Sequence, residues 1–398
     1  MTDDELRERV RALVADCNPA EVDMVAFRGE QFDRGLARVN FPEGKGGLGL
    51  SPKAQTVVDA ELRAAPKYYH DLVVNPIGIG MAMPTVLTWG SDELQDRLLR
   101  PCFTGEEVWC QLFSEPGAGS DVAGLATRAV EDGDEWVVSG QKVWTTLAHK
   151  SRWGMLVARS DPDQPKHKGM TYFVLDLQAA GVEVRPLYQI TGEAEFNEVF
   201  LTDVRIPDSH RLGARGEGWA VATTTLMNER VALGGGVPAR GSGPIAMLVD
   251  VWRRERDRLA PVEQQVQRDR VAQLWMRAEA QRLTNWRARD LASSGTPGPE
   301  GSVGKLLSAE LNKEIHEAVV DLLGPAGMLH LPGYPMVRSE GAAVVGTQPT
   351  SAFLRSRANS IEGGTSEVMR NILGERVLGL PGDVRVDKDV PWVDVPRN

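Results

Sequence analysis

A stretch containing glycine and serine, WCQLFSEPGAGSDVAGL at residues 109–125, carries side chains suited to holding a ligand. Gly117 and Gly119 can adopt positive φ and let backbone N–H groups approach a ligand closely. Ser114 and Ser120 add hydroxyl groups, and Trp144 adds a flat apolar face. Hydrogen-bond donors beside an aromatic plane suit a planar, phosphorylated cofactor. A hairpin with a serine-rich turn explains the same residues, because a lone Gly-rich turn is weak evidence.

The elements that must position these residues are strands. Two strand-like runs, Val108–Phe113 and Glu135–Thr146, lie on either side of the turn Pro116–Ser120. Residues 108–211 contain further short alternating runs separated by Gly, Pro and Asp, which predicts an antiparallel sheet or small barrel. These runs are Trp136–Val143, Met155–Arg159, Thr171–Asp176 and Glu198–Val204. The polar segment Asp161–Lys168 between two of them is predicted to be a solvated loop.

The flanking regions have helical periodicity. In residues 1–107, Leu6, Val10, Leu13 and Val14 repeat at helical spacing, and Pro52–Ala64 and Asp92–Leu99 continue as amphipathic helices. Gly44–Gly49 formally fits the dinucleotide pattern G-x-G-x-x-G, but no clear strand precedes it, so we predict a loop. From residue 212 the chain is helical again, and four long helices predict a bundle. Their ranges are Trp219–Leu233, Pro244–Arg258, Val262–Ser293 and Val303–Leu323. We therefore predict domains at 1–107, 108–211 and 212–398.

Composition limits the class of protein. The 398 residues are 42% hydrophobic and carry a net charge of −10, which argues against a general nucleic-acid or membrane surface. The uncharged segment Val73–Gly90 contains Asn, Pro and Gly and is a poor membrane span. Cys17, Cys102 and Cys110 lack metal-site spacing and fit a reducing compartment. We expect a cytoplasmic protein without a metal site.

The residue pattern of the Gly-rich stretch indicates a function more specifically than its general physical properties do. Glu115–Asp121 and Gly140–Thr146 resemble the flavin-binding signature of acyl-CoA dehydrogenases, E-P-x-A-G-S-D followed by G-x-K-x-W-x-T/S. The resemblance implies an α+β fold with an N-terminal helical domain, a middle antiparallel β-barrel and a C-terminal four-helix bundle. It also implies FAD-dependent conversion of an acyl-CoA to the trans-2-enoyl-CoA, in which a glutamate removes the α proton and flavin N5 accepts a hydride.

The same resemblance assigns the ligand contacts. Gln111, Leu112, Phe113 and Ser114 line one side of the flavin, Trp144 covers the ring, and Thr146 bonds near N5. Ser120 meets the thioester ligand, and Thr365–Glu367 meets the adenosine half, which favours FAD over FMN. The full set of predicted cofactor residues is Gln111, Leu112, Phe113, Ser114, Gly119, Ser120, Trp144, Thr145, Thr146, Asp321, Gly324, Thr365 and Glu367.

Two glutamates compete for the role of base. Many family members place the base directly before Gly-Thr, but here that position is Gly363, and Glu362 lies one residue early. A one-residue offset turns a side chain by about 100° on a helix. A second branch of the family uses a pattern like L-x-x-E-R on an earlier helix, which Leu226–Arg230 matches. We predict Glu229 as the base, Glu362 as the second choice, and Arg230 near the CoA.

Two departures from the family pattern concern the partner subunit. The R-x-x-F-G motif is absent from Arg253–Leu259, and Q-x-x-G-G-x-G becomes Asp321–Gly327, DLLGPAG. The resemblance implies that some members with such changes work as mixed α2β2 tetramers, so a homo-oligomer and a mixed tetramer both stay open. An electron-transfer flavoprotein is the expected electron acceptor. The alternatives are a non-catalytic subunit that completes another chain's flavin site, and a flavin oxidase or monooxygenase.

Overall fold

The structure is a computed structural model that describes residues 1–233, 237–293, 299–330, 348–382, 384, 387 and 389–396. Helices form the first part of the chain. α1 begins with a capping box, in which the Thr2 side chain accepts from the Glu5 N–H and the Glu5 carboxylate accepts from the Thr2 N–H. Leu6, Val10 and Leu13 of α1 are buried as their spacing predicts. The helices are α1 Asp3–Asp16, α2 Met24–Asp33, α3 Gln55–Ala64, α4 Asp71–Val74, α5 Met83–Trp89 and α6 Asp92–Thr104.

A sheet of eight strands follows. The strands are β1 Trp109–Leu112, β2 Arg128–Asp132, β3 Glu135–Thr146, β4 Trp153–Arg159, β5 Met170–Asp176, β6 Val182–Pro186, β7 Phe196–Pro207 and β8 Arg211–Leu212. They pair in the order β6-β7-β3-β2-β4-β5-β8, with β1 attached to β4. Most pairs are antiparallel, as predicted, but β1 runs parallel to β4 from Trp109↔Trp153 to Leu112↔Leu156. The Gly-rich turn and the β2–β3 hairpin lie between β1 and β4, and this long crossover permits the parallel direction.

The last part of the chain is helical, which confirms the predicted order of the three regions. Its helices are α7 Gly218–Leu233, α8 Pro244–Glu255, α9 Pro261–Ser293, α10 Glu300–Leu323, α11 Pro349–Ser356 and α12 Ser366–Ile372. α8, α9 and α10 share one core, which includes Leu248, Leu274 and Val319. α7 instead buries Val221 and Ala222 in a core with the N-terminal helices and β5. The predicted bundle thus keeps three of its four helices on one core.

The segment Asp161–Lys168 is not the solvated loop that its polar residues predict. Its Lys166 side chain is buried, with 9% of its surface exposed, and the segment 387–396 packs across it. The residues that cover this loop, Trp392 and Val393, lie more than 200 positions further along the chain, so the composition of the loop itself could not indicate that it is covered. Among the described helices, none is long and apolar enough to cross a membrane.

Candidate active site

The Gly-rich turn is closed by its own backbone and open on its outer side. Glu115 and Ala118 exchange two backbone hydrogen bonds of 3.1 and 3.0 Å. Neither Gly117 nor Gly119 adopts positive φ, so the predicted use of their conformational freedom is wrong for this structure. A Cβ atom added at either glycine would meet no heavy atom within 4 Å. The turn therefore leaves its backbone accessible to a ligand at Gly119 and the exposed Ser120.

A buried ion pair between Lys142 and Glu115 lies beneath this turn and holds it in place. The Lys142 ammonium donates to the Glu115 carboxylate (2.8 Å) and to the carbonyl oxygens of Phe113 (3.1 Å) and Val157 (2.9 Å). Glu115 also accepts from the N–H groups of Ala126 (2.6 Å) and Thr127 (2.9 Å). The pair is nearly dry, with 0% of the Lys142 side chain and 8% of the Glu115 side chain exposed. It thereby ties β1, β3, β4 and the segment after the turn together.

The pKa shifts of this pair agree with its environment. Burial lowers the pKa of Lys142 below its ordinary value. Burial alone would raise the pKa of Glu115, but the neighbouring ammonium and the hydrogen bonds hold it below its ordinary value. Sequence reasoning did not single out this pair. The signal was present, because Lys142 has the same parity along β3 as the buried Trp136 and Val138.

The tryptophan of the signature lies on a bulge in β3. Pairing with β7 shifts register between Lys142 and Thr145, and Trp144 adopts a φ of 59°. A bulge re-aims the side chain it carries, and 58% of Trp144 is exposed. Its ring meets Phe196 edge-on, with centroids 5.7 Å apart. A bulky residue in the left-handed region is rare, and such strain concentrates at functional sites.

The two halves of the signature meet beside this bulge. The Val143 N–H donates to the Ser114 carbonyl oxygen at 2.9 Å, which brings the end of β1 next to Trp144. Thr145 is fully buried, and its hydroxyl has no hydrogen-bond partner among the described residues. Thr146 is half-buried at the end of β3. An exposed indole, an unpartnered buried hydroxyl and an open turn fit the predicted flat, hydrogen-bonding flavin.

The remaining predicted residues of β1 have different surroundings. Gln111 is half-buried, whereas Leu112 and Phe113 lie in two separate hydrophobic cores. Their side chains therefore support the site by packing. Phe113 meets Tyr172 edge-on at 5.9 Å, and the Tyr172 hydroxyl is 3.0 Å from the Thr225 hydroxyl of α7.

The Tyr172–Thr225 contact links the end of β1 to α7, the helix that carries Glu229, our first choice for the catalytic base. Glu229 lies four residues after Thr225, so both occupy the same face of α7 one helical turn apart. The Thr225 hydroxyl is also 3.1 Å from that of Thr85, which fixes α7 against the N-terminal helices. Glu229 is half-buried. Arg230 lies on the same helix, and its side chain is outside the described part of the structure.

Glu362, the second choice, is already engaged. Arg355 donates to both of its carboxylate oxygens, at 3.0 and 2.8 Å, and Asn359 donates to one of them at 2.8 Å. The next two residues, Gly363 and Gly364, have φ values of 60° and 93°. A glutamate in the position before Gly-Thr would be strained there, because side chains disfavour this region.

The predicted contacts of the adenosine half lie at helix ends. Thr365 caps α12 by accepting from the Val368 N–H at 3.1 Å, and Glu367 is exposed in the first turn. Asp321, near the end of α10, pairs with Arg270 at 2.6 Å, and Gly324 follows with a φ of 54°. In the part of the chain that the structure describes, no group of three or more His, Cys, Asp or Glu could hold a metal ion.

Comparison with known proteins gives matches along nearly the whole chain. Three family models match in order: acyl-CoA dehydrogenase N-terminal domain at residues 1–106, middle domain at 110–204 and C-terminal domain at 216–378. The chain is 41% identical to acyl-CoA dehydrogenase FadE34 of Mycobacterium tuberculosis over 94% of its own length. That alignment covers 49% of FadE34, so the chain spans about half the length of this relative. Acyl-CoA dehydrogenase IpdE1 of the same organism is 36% identical, with 88% of this chain and 86% of that protein covered.

Two solved structures share the fold over nearly their whole length. The Tcur3481-Tcur3483 steroid ACAD is 28% identical with a TM-score of 0.70, covering 96% of this chain and 98% of that one. The ChsE4-ChsE5 complex from Mycobacterium tuberculosis is 27% identical with a TM-score of 0.68, covering 96% and 97%.

Proposed function

Because the chain belongs to the acyl-CoA dehydrogenase family of FAD-dependent oxidoreductases, we propose that it oxidises an acyl-CoA to the trans-2-enoyl-CoA with Glu229 as the base. The observation that carries this proposal is the meeting of the two halves of the flavin signature, Ser114 and Trp144–Thr146, beside the open turn. When bound, FAD accepts the β hydride of the substrate at N5.

The protein's own residues provide binding and proton transfer. Ser114 and Thr146 would hold the flavin through their hydroxyl groups, and the exposed Trp144 indole would pack on its ring. Ser120, at the accessible end of the turn, contacts the thioester. Because the α carbon is weakly acidic, donors near the thioester oxygen stabilise the developing enolate while a carboxylate removes the proton.

The choice of Glu229 rests on its match to the L-x-x-E-R pattern and on the glycine that occupies the position before Gly-Thr. Glu362 accepts three hydrogen bonds, two of them from the Arg355 guanidinium and one from Asn359, so both of its carboxylate oxygens are bound within the chain. Gly363 stands where many relatives carry the base, and its positive φ disfavours a side chain there. Glu229 lies on α7, which packs against the residues below the turn.

A pair of isosteric variants tests the assignment. Glu229→Gln keeps the shape of the side chain and removes the proton acceptor, whereas Glu362→Gln serves as the matched control. Proton abstraction by a positioned side chain contributes about 10²–10⁴-fold. We expect Glu229→Gln to slow flavin reduction by that factor in stopped-flow measurements, with nearly unchanged acyl-CoA affinity.

The reverse ranking of the two variants would transfer the base to Glu362. Near-normal reduction rates in both would exclude a base on either residue. Acyl-CoAs of different chain length and a steroid acyl-CoA belong in the panel, because one structural neighbour carries the name steroid ACAD.

A second candidate function is favoured by the altered interface motif. Asp321 replaces the glutamine of the family motif and pairs with Arg270, so this side chain is engaged within the chain. We propose that the protein works in a mixed α2β2 tetramer, with a homo-oligomer as the alternative. In the second candidate function, this chain is the non-catalytic subunit of that mixed tetramer and completes the flavin site of its partner chain. One of the similar structures is the ChsE4-ChsE5 complex, and another carries the paired name Tcur3481-Tcur3483. Flavin content of the chain purified alone and with a candidate partner separates these forms.

The electron acceptor and location complete the proposal. An electron-transfer flavoprotein is the expected acceptor of this family. We propose a cytoplasmic location, which the free thiols of Cys17, Cys102 and Cys110 support because they fit a reducing compartment.

A further inference from the structure

Residue 387 and residues 389–396, here called the strap, lie against the β domain although they follow the helical region in the chain. Its Trp392 N–H donates to the Gln164 carbonyl oxygen (2.9 Å), and the Val393 N–H donates to that of Pro162 (3.0 Å). The Trp392 indole N–H donates to the Gly124 carbonyl oxygen at 3.2 Å, and its ring stacks 4.7 Å from the Arg159 guanidinium. Only 9% of Trp392 is exposed. The strap is thus anchored by one buried aromatic residue.

The surface beneath the strap is the segment that follows the Gly-rich turn. The buried Arg159 guanidinium donates from the inner side to the carbonyl oxygens of Ala123 (2.6 Å) and Leu125 (3.3 Å). It also donates to the Lys166 carbonyl oxygen at 2.7 Å. Arg159 therefore connects the segment 121–127, the loop at 161–168 and the Trp392 ring.

An ion pair makes a second connection between the strap and the turn. The Lys166 ammonium lies 2.8 Å from the Asp121 carboxylate and 2.5 Å from the Asp387 carboxylate. Asp121 directly follows Ser120, which is the predicted thioester contact. Lys166 and Asp387 are both largely buried, whereas 59% of the Asp121 side chain is exposed, so the Lys166–Asp387 contact is the less screened of the two.

We propose that Trp392 and Asp387 are positioning residues for acyl-CoA binding, because the strap holds the segment 121–127 and thereby fixes Ser120. The part concerning acyl-CoA rests on the proposed function. The strap contacts this segment at Asp121 and Gly124, whereas the Lys142–Glu115 pair holds it at Ala126 and Thr127 and also holds the end of β1, so loss of the strap should lower substrate affinity more than FAD affinity.

The test uses the full chain with bound FAD. In Trp392→Ala, hydrogen–deuterium exchange of the Gly124 and Leu125 amides should become about tenfold faster, because a hydrogen bond and a cation–π contact are lost. The KM for acyl-CoA should rise by about the same factor with kcat within about twofold, the pattern of lost binding common to ground and transition states. Asp387→Asn should change both in the same direction by less.

Two variants serve as controls. Val393→Ala alters an exposed side chain of the strap and should leave exchange and KM unchanged. Trp392→Phe keeps an aromatic ring over Arg159, so its amide exchange and its KM for acyl-CoA should be closer to those of the wild type than to those of Trp392→Ala. Unchanged exchange at Gly124 and Leu125 in both Trp392→Ala and Asp387→Asn would overturn the proposal, as would a loss of FAD in proportion to the rise in KM. A wild-type protein inactive on every acyl-CoA would refute the proposed function, while exchange alone would still decide whether the strap holds the turn.

Discussion

The Lys142–Glu115 pair allows a quantitative prediction. Lys142→Met keeps an unbranched side chain of similar length but removes the ammonium. The Glu115 carboxylate then keeps its two backbone donors and loses its only buried counter-charge among the described residues, while the Phe113 and Val157 carbonyl oxygens lose a donor. The variant therefore leaves an uncompensated charge in a dry site.

The expected cost follows from the burial of both partners. Removing one member of a buried ion pair destabilises a protein by about 3–5 kcal/mol. For the 398 residues of the chain, an unfolding entropy of about 2.1 cal/mol/K per residue gives ~0.8 kcal/mol/K. The melting temperature should therefore fall by about 4–6 °C, which calorimetry of the FAD-bound protein measures. Affinity for FAD should fall as well, because the pair holds the end of β1 against β3.

Two comparison variants make the result interpretable. Lys168→Met removes an exposed lysine of the loop after β4 and should change the melting temperature by less than about 1 °C, since exposed charges contribute little. The double variant Glu115→Gln, Lys142→Met leaves no buried charge at the pair and should recover part of the loss. A Lys142→Met protein that melts and binds FAD like the wild type would refute the structural role of the pair.

Two further predictions concern a buried histidine and the flavin contacts. Burial and the nearby Arg357 lower the pKa of His316 to about 4, so between pH 6.5 and 4 the unfolded chain binds a proton that the folded chain does not. As the pH is lowered through this range, the free energy of unfolding should decrease by up to ~1.4 kcal/mol per pH unit. Denaturant titrations of His316→Leu should lack this part of the pH dependence. Ser114→Ala and Thr146→Ala should each weaken FAD binding by about 0.5–1.5 kcal/mol, as measured by fluorescence titration, and wild-type affinity in both would contradict the assigned contacts.

The sequence predicted those parts of the fold that repeat locally. The spacing of Leu6, Val10 and Leu13 placed α1, and the alternation of Trp136 and Val138 placed β3. Periodicity is a property of one element, so it identifies the element and its buried face. It does not determine which elements are neighbours. The parallel pairing of β1 with β4 and the packing of α7 away from α8–α10 depend on contacts between distant segments.

The site was predicted by resemblance, and its geometry was not. No rule of composition would place Trp144 in the left-handed region, since bulky residues avoid it. The glycines of the turn were expected to supply that conformation and do not. The engaged state of Glu362 was equally hidden, because its partner Arg355 is identified only once the turn at 361–364 is folded back. The domain boundaries at 107 and 211 stay predictions.

The strap also sets an order in time during synthesis. Trp392 is added 268 residues after Gly124, whose carbonyl oxygen it covers. At translation rates of about 5–20 residues per second, the segment after the turn emerges roughly 13–54 s before its outer contact exists. Until then Arg159 and Glu115 are the groups that hold it from the inner side. A ribosome that stalls in α12 would therefore carry a β domain whose Gly-rich turn is formed but lacks its contacts with Trp392 and the rest of the strap.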